Sequence, residues 1–200
     1  SDRGLNILLS YVIFPTFLQA DQNFLLSQVT ALSIFDILKD KISEVSIKWP
    51  NDILVGSRKI AGILIENSIM SNSINHSIIG VGINVNQKEF PNYTPEATSL
   101  INETIQYHEI NTMVHQFEHS FFSWFKLLEE GKFELIIDTY HQRLFGFHEW
   151  TDYRENASHK VFRGKIIGIE GDGRLILRDE KKQVVRYGFK DVEIIFNDKE

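Results

Sequence analysis

Cysteine is absent from the 200 residues, which rules out disulfides, Cys-ligated zinc and a thiol nucleophile. A chain of this kind is at home in the cytoplasm, although lack of cysteine does not by itself fix a compartment. No block of Lys and Arg stands out. Acidic residues outnumber basic ones 27 to 21, a net charge of −6, so the positive footprint of a nucleic-acid binder is missing. No apolar run reaches the length of a membrane span. The apolar opening, residues 5–14, lacks a basic flank and reads as a buried strand rather than a signal peptide. What is present is ordinary for a globular chain: 42% apolar and 24% charged residues, in a length that suits one large domain or a medium one plus a small one.

Pattern and punctuation divide the chain in two. The β-rich residues 5–14 stop at Pro15, which cannot donate a ladder bond. Asp21 or Asn23 can cap a helix carrying Leu25, Val29, Leu32, Phe35 and Leu38 at helical spacing. Residues 45–49 are extended, and residues 53–55 and 60–66 read as a hairpin about Gly56-Ser57. A further turn leads to a third apolar strand over 76–84, and such short turns suggest antiparallel pairing. A loop spans 90–95. Then Ile110, Val114, Phe117, Phe121, Trp124 and Leu128 form one helical stripe, and residues 133–144 form a second helix beyond Gly131. From Trp150 onward short strands recur at regular spacing, the pattern of a small β-barrel. The expected fold is therefore α/β (α+β), a mixed sheet with helices on one side over 1–146, followed by a small barrel over 147–200.

Three segments concentrate the chemistry: Lys48-Trp49-Pro50-Asn51-Asp52, Lys59-Ile60-Ala61-Gly62-Ile63-Leu64-Ile65-Glu66, and Gly80-Val81-Gly82-Ile83-Asn84-Val85-Asn86. Lys59 starts an apolar strand after a turn, where its ammonium projects as a mobile point charge suited to a phosphate or carboxylate. Gly62 lets a ligand lie against the backbone. Gly80 and Gly82 share a strand face, because side chains alternate with period two, and two such positions make a flat floor for a planar ring. Asn84 continues that face with a donor and an acceptor together, the pairing an adenine edge needs. Asn51 and Asp52 put polar groups on a turn where a metal or phosphate can be met. Singly, each has a plainer reading. A strand glycine usually marks a bulge or packing site, Asn-Asp after Pro a turn, and a lone lysine a solvated side chain. Gly80-Val81-Gly82 also lacks the third glycine and following helix of a dinucleotide fingerprint.

Together and in this order, the three segments resemble the signature of biotin–protein ligases, and Ala97-Thr98-Ser99-Leu100 fits the same pattern. The resemblance covers residues 1 to about 146, and a small C-terminal barrel of SH3-like type occupies the same place in that family. It implies a ligase that uses biotin and ATP as substrates with Mg²⁺, forms biotinyl-5'-AMP and pyrophosphate, and passes biotin to one lysine of a biotin carboxyl carrier protein. That carrier belongs to acetyl-CoA carboxylase or a related carboxylase. By the resemblance, Lys59 contacts the biotin carboxyl and the adenylate phosphate. Gly62, Gly80 and Gly82, with the backbone around Ile63 and Leu64, line the biotin pocket. Asn84 reads the adenine, Asn51 and Asp52 lie beside the phosphates, and Asp52 is a candidate to orient or deprotonate the acceptor lysine. Two anions meet when a carboxylate attacks a triphosphate, so cationic screening is required.

The family pattern also has a Gly-Arg-Gly-rich loop ahead of the part that Ser1-Asp2-Arg3-Gly4-Leu5-Asn6 resembles, so the chain is expected to begin just after it, with Arg3 as a turn residue. Phe90 or Tyr93 is the candidate to stack on adenine. His115-Gln116-Phe117-Glu118-His119 spells H-x-x-E-H, but the apolar stripe through Phe117 turns its polar residues toward solvent, and no metal is expected there. A lipoate– or octanoyl–protein ligase is the rival enzyme, and a non-enzymatic protein-binding module the rival of another class. Neither nucleic acid nor membrane is an expected partner, and self-association through a sheet edge is a candidate.

Overall fold

The structure is a computed structural model that describes residues 4–91 and 96–196, so Arg3 and Tyr93 lie outside the described residues. Five strands form the first sheet: β1 (Asn6–Ile13), β2 (Val45–Lys48), β3 (Asp52–Val55), β4 (Arg58–Met70) and β5 (Ser73–Asn84), in the spatial order β1-β5-β4-β3-β2. Every pairing of these strands is antiparallel. The sheet is thus not mixed. Its hairpin turns are too short for parallel crossovers, and parallel pairing survives only in isolated bridges such as Ile47 with Leu144.

One face of this sheet is buried under helices. α1 (Phe24–Lys39) lies against β2, β3 and β4, and is itself covered by α3 (Ile110–Glu129) and α4 (Phe133–Arg143). Thirteen of its sixteen residues are buried, so it is a core helix rather than one with a single apolar stripe. Its buried hydroxyls are satisfied within the helix: Thr30 Oγ1 donates to the Leu26 carbonyl and Ser33 Oγ to that of Val29, both at 2.7 Å. In α3 the repeat of Met113, Phe117, Phe121 and Leu128 buries one stripe only. A five-residue helix, α2 (Leu100–Thr104), has no apolar period to announce it. The other face of the sheet is open among the described residues, with Leu8 72% and Leu64 66% exposed.

The second sheet comprises β6 (Trp150–Glu155), β7 (Val161–Ile169), β8 (Leu175–Asp179), β9 (Val184–Tyr187) and β10 (Val192–Ile194), in the order β10-β6-β7-β8-β9. Four strands meander and the fifth returns beside the first, the connectivity of an SH3-like barrel. The turn between β7 and β8 fastens this sheet to the start of α1 and to the loop after β2. The Gly171 carbonyl accepts from Phe24 N–H at 3.1 Å, and that of Gly173 accepts from Trp49 Nε1 at 2.8 Å. A methyl group on Gly173, at φ +92°, would sit 2.7 Å from the Phe24 ring. Gly173→Ala is therefore expected to cost about 2–4 kcal/mol in urea unfolding, from backbone strain plus overpacking. An unchanged midpoint would show that the turn does not clamp the sheets together.

The connection from α4 to β6 carries a titratable stack. The His141 ring lies on Phe147 at 4.6 Å with planes 10° apart, and its buried Nε2 has no hydrogen-bond partner among the described residues. Burial holds its pKa below the ordinary 6.5, with Asp138 opposing and His148 adding to the shift. The neutral ring is thus the native form. Its stability is whole above pH 6.5 and is lost as pH falls through the lowered pKa. The urea midpoint should fall between pH 7 and 5, and fall less in His141→Phe. An equal fall in both proteins would remove His141 as the cause. No helix among the described residues is long and apolar enough to cross a membrane.

Candidate functional site

Side chains of register partners share a sheet face, and one such row crosses all five strands. Lys48 of β2 faces Asp52 of β3, Asp52 faces Gly62 of β4, Gly62 faces Gly82 of β5, and Gly82 faces Leu8 of β1. Beside it run Leu64, Gly80 and Ser10. Three glycines therefore meet on the open face. Above them lies a hollow of about 480 Å³, whose lining includes Leu8, Ser10, Lys59, Gly62, Leu64, Gly80 and Gly82, together with Asn51 and Ile63. The Ile63 side chain points into the core.

Lys59 reaches this face through a bulge. Strict alternation would put residues 59 and 62 on opposite faces, but the β3–β4 register shifts. Ala61 pairs with Ile53 and Lys59 with Leu54, which leaves Ile60 as the extra residue. The strand is held in this form from the side: Lys59 N–H donates to the Glu96 carbonyl at 2.7 Å, and Thr98 N–H donates to the Lys59 carbonyl at 2.9 Å. The lysine then folds over Gly62, where a Cβ would stand 3.1 Å from both its Cε and its Nζ. The glycine thus makes room for the lysine as well as for a ligand.

The ammonium has a partner within the sheet, and it does not project from an edge. β4 is an interior strand, and Lys59 Nζ lies 2.5 Å from Asp52 Oδ1. Asp52 Oδ2 faces Lys48 Nζ at 3.6 Å. The Asp52 side chain is only 12% exposed, so its charge depends on these two partners. Among the residues that line the hollow, Lys59 carries the only charge.

The two asparagines are more committed than a sequence reading supposes. Asn51 Nδ2 donates to the Ile63 carbonyl at 2.8 Å, tying the turn to β4. Asn84 lies two residues along the face from Gly82, and its Nδ2 donates to the Thr98 carbonyl at 3.0 Å. That bond uses one N–H of the amide, so Asn84 can still offer an incoming adenine edge its second N–H and its Oδ1. The 97–100 segment thus shapes the site by holding both Lys59 and Asn84. Lys48 was not singled out in the sequence. Its signal was available in the three-residue loop 49–51, which sets it opposite Asp52. Phe90 is half-buried.

The H-x-x-E-H segment lies on α3, far along the chain from these strands. His115 and His119 are exposed, His115 pairs with Glu118 at 3.2 Å, and Glu118 also accepts from Tyr11 Oη at 3.0 Å. Among the described residues no group of three or more His, Asp or Glu could hold a metal ion.

Residues 4–84 match the family model described as Biotin/lipoate A/B protein ligase family. The chain is 30% identical over 141 residues to the Bifunctional ligase/repressor BirA of Bacillus spizizenii, covering 69% of this chain and 43% of that protein. It is also 30% identical over 162 residues to the Biotin–[acetyl-CoA-carboxylase] ligase of Paracoccus denitrificans, covering 76% of this chain and 66% of that protein. Among solved structures, the apo biotin protein ligase of Aquifex aeolicus shares the fold, with a TM-score of 0.77 at 21% identity over 96% of this chain and 83% of that one. The chain spans about half the length of the two Bacillus BirA proteins it matches, 43% and 55%.

Proposed function

The chain belongs to the biotin/lipoate A/B protein ligase family, and from that premise we propose that the protein activates biotin with ATP and transfers it to a lysine of a biotin carboxyl carrier protein. The observation that carries this reading is the convergence of one ammonium group and three glycines on a single hollow. A flat bicyclic ring fits a floor without side chains, and the apolar walls Leu8 and Leu64 suit its alkyl chain. Its carboxylate would meet Lys59, the only charge there. A related ligase from Aquifex aeolicus has been solved in complex with biotin and ATP.

In the first step a biotin carboxylate oxygen attacks the α-phosphorus of ATP. A mixed anhydride forms and pyrophosphate leaves. Lys59 holds the carboxylate and offsets the charge that gathers between the two anions. In the second step the acceptor amine attacks the anhydride carbonyl, an amide forms and AMP leaves. Asp52, with an oxygen on each side engaged by a lysine, orients the reacting amine rather than standing free beside it. Asn51 and Asn84 flank the nucleotide, the latter with its Oδ1 and its second N–H. Mg²⁺ would enter with the triphosphate, because Asp52, the carboxylate of this row, already has a lysine at each oxygen. When bound, the ion supplies charge neutralisation on the phosphates. Residues 1–146 carry the chemistry in this reading, with 147–200 as a separate SH3-like unit, and the setting is the cytoplasm.

The test is mass spectrometry of the protein mixed with biotin, ATP and a carrier domain. The expected result is one biotinyl group on one carrier lysine. Transfer of lipoate but not biotin would assign the site to the sister branch of the family. No affinity for either acid, measured by titration calorimetry, would reduce the protein to a binding module.

A further inference from the structure

We infer that Lys48 is a positioning residue for this reaction: it is the standing counter-ion of Asp52, and it allows Lys59 to leave that carboxylate for the anion in the hollow. The inference rests on the biotin-activating reading above. It starts from a count of charge. Lys48, Asp52 and Lys59 lie together with a net charge of +1, and each lysine addresses a different oxygen of the carboxylate, at 3.6 and 2.5 Å. Remove Lys48 and the remainder is a neutral pair, with nothing left over to draw an anion in.

Burial makes the point sharper. The Lys48 and Asp52 side chains are 16% and 12% exposed. If Lys59 turned toward a substrate carboxylate with no second cation present, Asp52 would be left charged, largely dry and unpaired, which is costly. With Lys48 across the hairpin the carboxylate keeps a partner throughout, and the transfer of Lys59 from one carboxylate to another becomes nearly balanced. Lys48 does not line the hollow above the glycines. It faces a neighbouring hollow walled by the second sheet, where Phe196 lies 5.9 Å from its ammonium. The Phe196 ring rests in turn on Phe145 at 5.4 Å. The chain just beyond β10 thus lies beside a group of the first sheet.

The experiment compares Lys48→Met and Lys48→Arg, alone and combined with Asp52→Asn, in the full chain, with thermal melts to establish folding. One readout is biotin-dependent exchange of pyrophosphate into ATP. The other needs no substrate: the rate at which formaldehyde and a hydride donor methylate Lys59, followed by peptide mass spectrometry. Lys48→Met should lower kcat for exchange about 10- to 100-fold, with KM for biotin within about threefold, because the ring floor is untouched. It should also slow Lys59 methylation about threefold, since Asp52 then pairs with Lys59 alone. Lys48→Arg should restore both. On the Asp52→Asn background, Lys48→Met should change neither.

Equal losses with and without Asp52 would mean that Lys48 acts on substrate directly, and would overturn the inference. So would wild-type values of both readouts in Lys48→Met. A wild-type chain that shows the methylation pattern but no exchange with biotin would sink the reaction reading itself, while the three-charge arrangement stands.

Discussion

Lys59→Ala should reduce biotin-dependent adenylate formation about 100- to 1,000-fold and leave the melting temperature nearly unchanged. The large loss follows from what else lines the hollow. Among those residues no other side chain carries charge, so nothing takes over when the ammonium goes. Two anions must still approach each other, and the electrostatic cost of that approach then falls on the transition state. The small effect on stability has its own cause. The Lys59 side chain is 37% exposed, so little packing is lost, and Asp52 keeps Lys48 as a partner. Lys59→Arg should not rescue the activity. The slender end of a lysine lies close over Gly62 and meets Asp52 there, and a planar guanidinium is wider and sets its donors in a different geometry. Pyrophosphate exchange and a thermal melt on the same preparations check both halves. Exchange within about twofold of wild type would remove Lys59 from the chemistry.

Gly82→Val should weaken biotin binding about 100-fold or more, a change of roughly 2.7 kcal/mol, while the fold becomes no less stable. Gly82 lies in the middle of the five-strand row and forms part of the floor. A Cβ there would meet the Leu8 side chain at 3.4 Å and the Gly62 carbonyl at 3.9 Å, so the protein itself has room for it. Valine is at home in a strand where glycine is not, which favours the folded state. The added methyl groups would stand in the ligand's place. Binding and stability are therefore expected to part company: calorimetry should show biotin affinity lost, and urea unfolding a midpoint equal to or above that of wild type. Retained affinity would move the biotin ring off this floor. A collapse of stability would instead show that Gly82 is there for packing.

Much of the architecture was readable because it rests on local pattern. Short β-rich apolar runs mark β1 and β5, and a 3.6-residue repeat marks α3. The short strands after Trp150 and their turns read as a β unit. What local pattern could not supply was pairing. The sheet was expected to be mixed and is antiparallel. The Gly171-Asp172-Gly173 turn reads as an ordinary hairpin turn, and nothing in those three residues tells that it receives Phe24 and Trp49. Asn84 offers two donors and an acceptor on paper, and only its neighbour Thr98 reveals that one N–H is already in use.

The sequence by itself determined which groups the site would contain: one lysine, an Asn-Asp turn and glycines at the spacing of a strand face. A motif is a statement about order along the chain, and these residues lie close in that order. The tertiary structure decided that they lie together on one face. By simple alternation Lys59 belongs on the face opposite Gly62, and it is the extra residue Ile60, with the backbone of 96–98 held alongside, that turns the ammonium to the glycine floor. The same register places Lys48 and Lys59 on either side of Asp52. A bulge is set by what the partner strand allows, and long-range pairing of that kind leaves no mark in the residues it rearranges.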